Sequence, residues 1–341
     1  MLEMAVIGAG AIAKTHMKAV LNNPDTELKA ICDLNLEKAQ KAVELLGIAD
    51  KVKVYTDYME MAVQEKLDAV IVVTDDKSHR PITVDLLEQG VHVLCEKPMA
   101  LNVEDCKAMI HTAKTSGKTL MIGQICRFAP SFKRAKQLIE DGAIGELFFV
   151  ESEYVHDYSI KGDQDWRVDP DRHPIVGGGC HAVDLLRWIA GNPEEVMAYA
   201  NHKMLPTWPI DDCTIAIMKF PNDVVGKVLC SIGCKRDYSM KSKFYGTKGT
   251  ILCDNTSSEL ILYTVEKDEN GKDKPGGVPQ SIDVHAESHN TVGELAEFVD
   301  VVLGKKELAM SGEEGASTVA ACLAAVESAK IGLPVKVDYH F

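Results

Sequence analysis

The chain has 341 residues, 46% of them hydrophobic, enough for two globular cores and by length more in keeping with two domains than one. Its formal net charge is −14 and it has no long basic tract, which argues against nucleic acid or an anionic membrane surface as partner. The opening "MLEMAVIGAGAIAKTH" lacks a basic leader and breaks its apolar run at glycines, and no stretch of ~18 apolar residues occurs, so neither a signal peptide nor a membrane span is expected. The ten cysteines are scattered singly and form no CxxC pair. The closest two, Cys230 and Cys234, would lie ~13 Å apart on a strand, too far for one metal ion. Reduced thiols in a cytoplasmic protein are the expectation.

"EMAVIGAGAIAKTHMKAVL" reads as a short apolar strand, a glycine turn and an amphipathic helix. Gly8, Gly10 and Ala13 make GxGxxA, with Ala11 and Ile12 completing the loop. The first glycine permits the tight turn and the second lets backbone approach a pyrophosphate. The small third residue allows helix and strand to pack closely, with the phosphates at the helix N-terminus. The next strand, "ELKAICD", ends in Asp33, roughly 20 residues on, where an acid can hydrogen-bond a ribose 2′-hydroxyl and repel a 2′-phosphate. No arginine follows closely, so NAD is favoured over NADP. The alternative for this stretch is a plain loop with Asn35 capping the helix "LEKAQKAVELLG".

The alternation continues through a helix in "YTDYMEMAVQEK", a buried strand in "LDAVIVVT" and a helix closed by Gly90. Then come the strand "VHVLCEKP", a helix closed by Gly117 and the strand "TLMIGQ". Strands and helices in this order imply a doubly wound parallel sheet, whose ligands sit at the carboxyl ends of the strands. Thr74, Glu96, Lys97 and Gln124 all fall at such ends. Pro98 pushes Lys97 out of helical geometry, and on extended chain Glu96 and Lys97 face opposite ways. One can then serve the cofactor's ribose while the other reaches toward substrate. In a partly dry cleft a lysine can steady the negative charge that develops on a substrate oxygen.

Beyond residue 124 the reading is coarser. "ELFFVESEYV", "VMAYANHKM", "CTIAIMKF", "VVGKVLCSIG", "KSKFYGT", "TILCDN" and "ELILYTV" have strand character. "KDENGKDKPGGVPQ" is a polar, turn-rich excursion, and no internal repeat is visible. "HDYSIKGDQDWRVDPDRHP" combines acids, Trp166 and Arg167 in the manner of a substrate loop. In "GGGCHAVDLLRW" (residues 177–188) a helix begins near Cys180, with His181 and Asp184 on one face of its first turn. They are either a local polar pair, Asp184 complementing the helix dipole, or half of an active site.

Taken together, "VIGAGAIAKTH", "VIVVTDDKSH", "VLCEKPMA", "GQICRFAPSFKRAKQLIEDGAIGEL", "GGGCHAVDLLRWIAG", "FYGTKGTI" and "SGEEGASTVAACLAAVESAKIGLPVKV" resemble the Gfo/Idh/MocA oxidoreductases. The likeness runs from residue 5 to about residue 337. It implies an α/β N-terminal Rossmann domain (residues 1–123) and a C-terminal α+β domain with an open, mostly antiparallel sheet (residues 124–341). The second domain would bind substrate and carry oligomer contacts, in a homodimer or homotetramer. NAD would be held by Gly8, Gly10, Ala11, Ile12, Ala13, Asp33, Thr74, His79, Glu96, Lys97 and Gln124. In the family the lysine of the EKP motif faces a histidine matched by His181, and Asp184 matches an acid that contacts substrate. Arg167 and Trp166 join it as substrate-binding candidates.

The implied reaction is hydride transfer at a secondary hydroxyl or ketone of a sugar, polyol or glycoside, with Lys97 and His181 catalytic. Gly177 to Gly179 would let backbone pass close to substrate or nicotinamide. One departure stands out: many members carry an aspartate four residues before the histidine, and Gly177 stands there. Either His181 acts without that partner or another acid supplies it. No metal is expected, since His181 and Asp184 give only two ligands. Two other readings remain open on the same fold: redox-neutral, NAD-dependent glycoside cleavage, and a non-catalytic cofactor-binding regulator.

Overall fold

The computed structural model describes residues 1–163, 165–274 and 276–341; Gln164 of the polar loop and Pro275 of the turn-rich excursion lie outside them. Two compact units divide the chain. One comprises Met1–Gln124, Thr291–Val319 and His340–Phe341; the other comprises Ile125–Asn290 and Ala320–Tyr339.

The first unit alternates β1 (Leu2–Ile7), α1 (Ala13–Asn22), β2 (Thr26–Cys32), α2 (Leu36–Leu45), β3 (Lys53–Tyr55), α3 (Tyr58–Glu65), β4 (Ala69–Val72), α4 (His79–Glu88), β5 (His92–Glu96), α5 (Val103–Ser116) and β6 (Leu120–Gly123). Its sheet runs β3-β2-β1-β4-β5-β6 with every neighbour parallel. This is the doubly wound order expected from the alternation, and its chain direction switches between β1 and β4, where such sheets bind dinucleotides. All of β4 and β6 is buried, as strands covered on both faces must be. Local chemistry sets the helix ends. Asn35 accepts from the Lys38 amide, Asp57 from Met59 and Glu60, and Asn102 from Asp105. Gly117 closes α5 in the left-handed conformation.

The second unit begins with α6 (Pro130–Glu140), β7 (Leu147–Val155), α7 (Pro174–Gly177) and α8 (Cys180–Ala190). Then follow β8 (Glu195–Asn201), β9 (Cys213–Lys219), β10 (Val225–Ser231), β11 (Lys241–Gly246), β12 (Gly249–Asp254), β13 (Glu259–Thr264) and β14 (Val278–Asp283). Helix α9 (Thr291–Val302) belongs to the first unit and packs on α1, while α10 (Gly312–Ile331) has residues in both. A short β15 (Val335–Lys336) completes the order β14-β13-β12-β11-β7-β10-β9-β8-β15. The sheet is antiparallel except between β7 and β10, which matches the open, mostly antiparallel sheet expected. Strand β14 is a correction to the reading of residues 267–280 as pure excursion. Its side chains are nearly all exposed, so no apolar alternation marks it, and backbone pairing with β13 is what makes it a strand.

Candidate active site

At the carboxyl end of β1 the glycine turn has the shape its sequence implies. Gly8 sits at φ +104°, and a Cβ there would fall 2.6 Å from the Val73 carbonyl oxygen, so no other residue fits. Gly10 has nothing within 4 Å of the same position, which leaves room for a bulky anion against the backbone. Ala13 is fully buried, while Ala11 and Ile12 are exposed. No side chain caps the first turn of α1, whose Thr15 and His16 amides bond the Ile12 carbonyl. Asp33 Oδ2 accepts from the Ala9 amide at 2.7 Å and its Oδ1 from the Asn35 amide at 2.9 Å. It therefore braces the glycine turn while Asn35 caps α2, and Lys38 Nζ lies 3.5 Å away. Thr74, beside the turn, donates its hydroxyl to the Asp75 carbonyl. These residues fit a dinucleotide: an open backbone cradle, an uncapped helix start and an acid at the end of β2.

Two strands along, β5 ends at Glu96 and the Lys97–Pro98 peptide is cis. His79 is buried, and its Nδ1 lies 2.9 Å from the Pro98 carbonyl oxygen, bracing the Lys97–Pro98 turn. Glu96, expected at the ribose, turns inward: its Oε1 lies 3.0 Å from His16 Nε2 and its Oε2 accepts from the Lys97 amide at 3.0 Å. Burial pushes its pKa up, but the His16 hydrogen bond and the positive charge nearby hold it down at about 2. Beside it Glu294 of α9 is 0% exposed, with both carboxylate oxygens unpartnered among the described residues. Burial and then the charge of Glu96 drive its pKa well up, so of the two acids Glu294 is the one that favours its protonated form. Atoms of His16, Glu96 and Glu294 lie within 4.8 Å of one another, the spread of a candidate metal site. The 3.0 Å His16–Glu96 contact is itself of hydrogen-bond length. Gln124, the last strand-end candidate, is buried and donates Nε2 to Thr318 Oγ1 at 3.4 Å.

His16 and Glu294 were missed in the sequence. The available signal was phase: His16 falls on the buried face of α1, and Glu294 adjoins the apolar Leu295 and Phe298 of "TVGELAEFVDVV".

In the second unit the polar pair on α8 has two different surroundings. His181 is buried, with Nδ1 3.4 Å from the Cys126 sulfur, and its ring stacks on Tyr154 at 6.1 Å and lies 5.9 Å from His289. Asp184 is 1% exposed and takes a two-pronged ion pair from Arg127, Nε at 2.9 Å and Nη2 at 2.7 Å, with Arg187 3.6 Å away. Expected at the substrate, it is built into the protein's own framework. The three glycines also differ from expectation. Added Cβ atoms would meet the Arg172 guanidinium at 2.3 Å from Gly177, the Tyr154 ring at 2.5 Å from Gly178 and the Ile175 backbone at 2.9 Å from Gly179. Each leaves room for the protein's own atoms at the place a Cβ would occupy.

In the polar loop Trp166 is 44% exposed, and the guanidinium carbons of Arg167 and Arg172 lie 4.4 and 4.8 Å from its ring centre. Arg167 also holds Asp165 at 2.8 Å, Asp163 accepts from Thr207, and Asp157 pairs with Lys235 at 3.2 Å. An open cleft of about 510 Å³ in this unit is lined by His156, Ile160, Lys235, Arg236 and Tyr238 among others.

The cradle, the switch point and the turn after β5 define the first unit as that of a dinucleotide-dependent oxidoreductase. Residues 2–124 match the profile of an oxidoreductase family with an NAD-binding Rossmann fold, and residues 132–252 match the C-terminal domain of the same family. The chain belongs to the Gfo/Idh/MocA family of NAD-binding oxidoreductases. It is 26% identical to the myo-inositol 2-dehydrogenase of Thermotoga maritima, covering 99% of each chain. With the D-glucoside 3-dehydrogenase of Escherichia coli it shares 25% identity over 98% of this chain and 97% of the other. The fold is that of a levoglucosan dehydrogenase solved in complex with NADH, at a TM-score of 0.87 and 22% identity over 99% of each chain. No helix among the described residues is long and apolar enough to cross a membrane.

Proposed function

We propose that this oxidoreductase acts on a secondary hydroxyl, or the corresponding ketone, of a cyclic polyol, sugar or glycoside, with NAD preferred to NADP. The observation that carries the reading is Lys97, set by the turn after β5 in the same sheet whose β1 turn forms the dinucleotide cradle. The acid at Asp33 favours NAD. Two relatives that match nearly the whole chain are named for dehydrogenating myo-inositol and D-glucosides, which supports a polyhydroxylated ring as substrate.

Bound NAD supplies the hydride acceptor for oxidation. Lys97 hydrogen-bonds the substrate oxygen and steadies its developing charge. His181 takes the hydroxyl proton, a task that suits imidazole because its ordinary pKa lies near neutrality. The ionised Glu96 anchors the Lys97 amide and so orients the turn that carries the side chain. Asp184 serves by fixing Arg127 and the first turn of α8, and half-exposed Trp166 offers a face for a sugar ring. The first unit would thus hold cofactor and the second substrate. None of the ten cysteines is bridged by a disulfide, in keeping with a reducing cytoplasm. Exposed Tyr199, Ile215 and Ile217 on neighbouring strands support a homodimer or homotetramer joined through that sheet face.

The test is NADH absorbance with purified protein, NAD or NADP, and a panel of inositols, hexoses, sugar acids and glycosides. One substrate class should reduce NAD. Lys97→Met and His181→Ala should each lower kcat by ~100-fold or more while NAD affinity, measured by calorimetry, is retained. NAD binding without net NADH, but with cleaved glycoside among the products, would replace this reading by redox-neutral cleavage. NAD binding with no product at all would leave a regulator.

A further inference from the structure

The sheet stops holding the chain one residue before the lysine. The last ladder pairs of β5 are Cys95 with Val72 of β4 and Glu96 with Gly123 of β6. Lys97 lies past both, and Pro98 has no N–H to give. The Lys97–Pro98 pair is instead held by side chains, at the amide that enters it and the carbonyl that leaves it. Glu96 Oε2 accepts from the Lys97 amide at 3.0 Å, and the Pro98 carbonyl oxygen lies 2.9 Å from His79 Nδ1. A carbonyl oxygen only accepts, so His79 Nδ1 bears the hydrogen of that bond. Glu96 is held in its turn, with His16 Nε2 3.0 Å from its other oxygen.

The two histidines come from different helices, His16 from α1 and His79 from the start of α4, and each is 1% exposed. Each gives one ring nitrogen to this turn. The other nitrogen, Nδ1 of His16 and Nε2 of His79, is buried with no hydrogen-bond partner among the described residues. A buried orphan nitrogen carries a desolvation penalty that leucine or methionine would not. Packing alone therefore does not account for histidine at both positions, whereas the bonds to Glu96 and Pro98 do.

We propose that His16 and His79 are positioning residues for Lys97. His79 fixes the carbonyl on the far side of the Lys97–Pro98 pair directly, and His16 fixes the amide on the near side through Glu96. Between them they set the direction in which the lysine leaves the chain. This rests on the reading of Lys97 as the group that meets the substrate oxygen. A reacting group displaced by about 1 Å can lose ~100-fold in rate, so a backbone held on both sides has a kinetic consequence.

The brace can be read without cofactor or substrate, by NMR of the full chain labelled with nitrogen-15 lysine, where the Lys97 amide is the signal lost in Lys97→Met. Bonded to a buried carboxylate, it should lie far downfield and exchange slowly with solvent. His16→Met and His79→Leu should each move that signal and speed its exchange. His16→Gln and His79→Asn should restore both, because their side-chain amides place an N–H where the bonded ring nitrogen was. In turnover, His16→Met and His79→Leu should each lower kcat by at least ~10-fold with NAD affinity retained, and the glutamine and asparagine variants should regain most of it. Added to Lys97→Met, neither apolar substitution should lower kcat further, since both act through the lysine.

A Lys97 amide unmoved in His16→Met and His79→Leu overturns the proposal, and so does one that moves while kcat stays at the wild-type level. A full further loss of kcat on top of Lys97→Met overturns it too, as the result a general packing role would give. If the apolar variants do not fold, the crossed pair His16→Asn and His79→Gln decides instead. These carry the same amide at the place of the other ring nitrogen, and should behave as the apolar variants would. An amide that moves as expected, in a protein that turns over no polyol or sugar, supports the brace and sinks the dehydrogenase reading.

Discussion

Glu96 and Glu294 are two buried carboxyl groups in one cluster, and like charges at such range in a dry setting do not both ionise. Their titrations work in opposite senses. Glu96, held at about 2, contributes stability that is present above the ordinary carboxyl value of 4.5 and is lost as pH falls from there through about 2. Glu294 has its pKa raised well above 4.5, so the folded chain keeps a proton that the unfolded chain releases. Its contribution therefore declines as pH rises from 4.5 toward the folded value. Glu294→Gln mimics the protonated acid and removes that decline. Its melting temperature should match wild type near pH ~4 and exceed it near pH ~8 by about 2–4 °C, the shift ~1 kcal/mol produces in a domain of this size. An equal shift at both pH values in thermal melts would mean that Glu294 does not titrate on folding.

At the scale of elements, the turn between β1 and α1 illustrates how much a short segment can specify. Gly8 is required twice over, by its φ of +104° and by the Val73 carbonyl 2.6 Å from any Cβ. Gly8→Ala should cost about 1–3 kcal/mol and displace the turn, so calorimetry should show NAD binding weakened together with the melting temperature. Unchanged NAD affinity in that variant would mean the cradle lies elsewhere. This turn was legible because its determinants sit within six residues. The Gly177 to Gly179 stretch was legible only as an anomaly. Its glycines answer to Arg172, Tyr154 and Ile175, and residues as distant as Tyr154 leave no local trace of such a contact. The same limit hid β14, which has no apolar alternation and exists through its pairing with β13.

The whole molecule adds a surface that no single strand reveals. Tyr199 on β8 pairs with Ile215 on β9, and Ile217 lies two residues further along on the same face. They are 66%, 40% and 52% exposed, on a sheet whose opposite face buries Ala198, Ala216 and Met218. Charge placed there should oppose self-association without touching the core. If copies join through this face, as proposed, Ile217→Lys should lower the mass seen by light scattering, and an unchanged mass would count against this face.

Sequence by itself determined the alternation of β1, β2, β4, β5 and β6 with their helices, the glycine turn with Asp33, and the lysine at the end of β5; the three-residue β3 was missed, too short to show a pattern, and is made a strand by its pairing with β2. Helical and strand periodicity, turn chemistry and strand-end position all act over a few residues, so they can be read along the chain. Only the tertiary structure decided the partners of the chemical groups: His16 for Glu96, Arg127 for Asp184, Cys126 for His181, and Glu294 returning to the first unit on α9. Those pairs lie 80, 57 and 55 residues apart, except for Glu294, which comes from a different stretch of chain altogether. Contacts of that span depend on how elements pack, and packing is set by the sum of many apolar surfaces rather than by any local pattern.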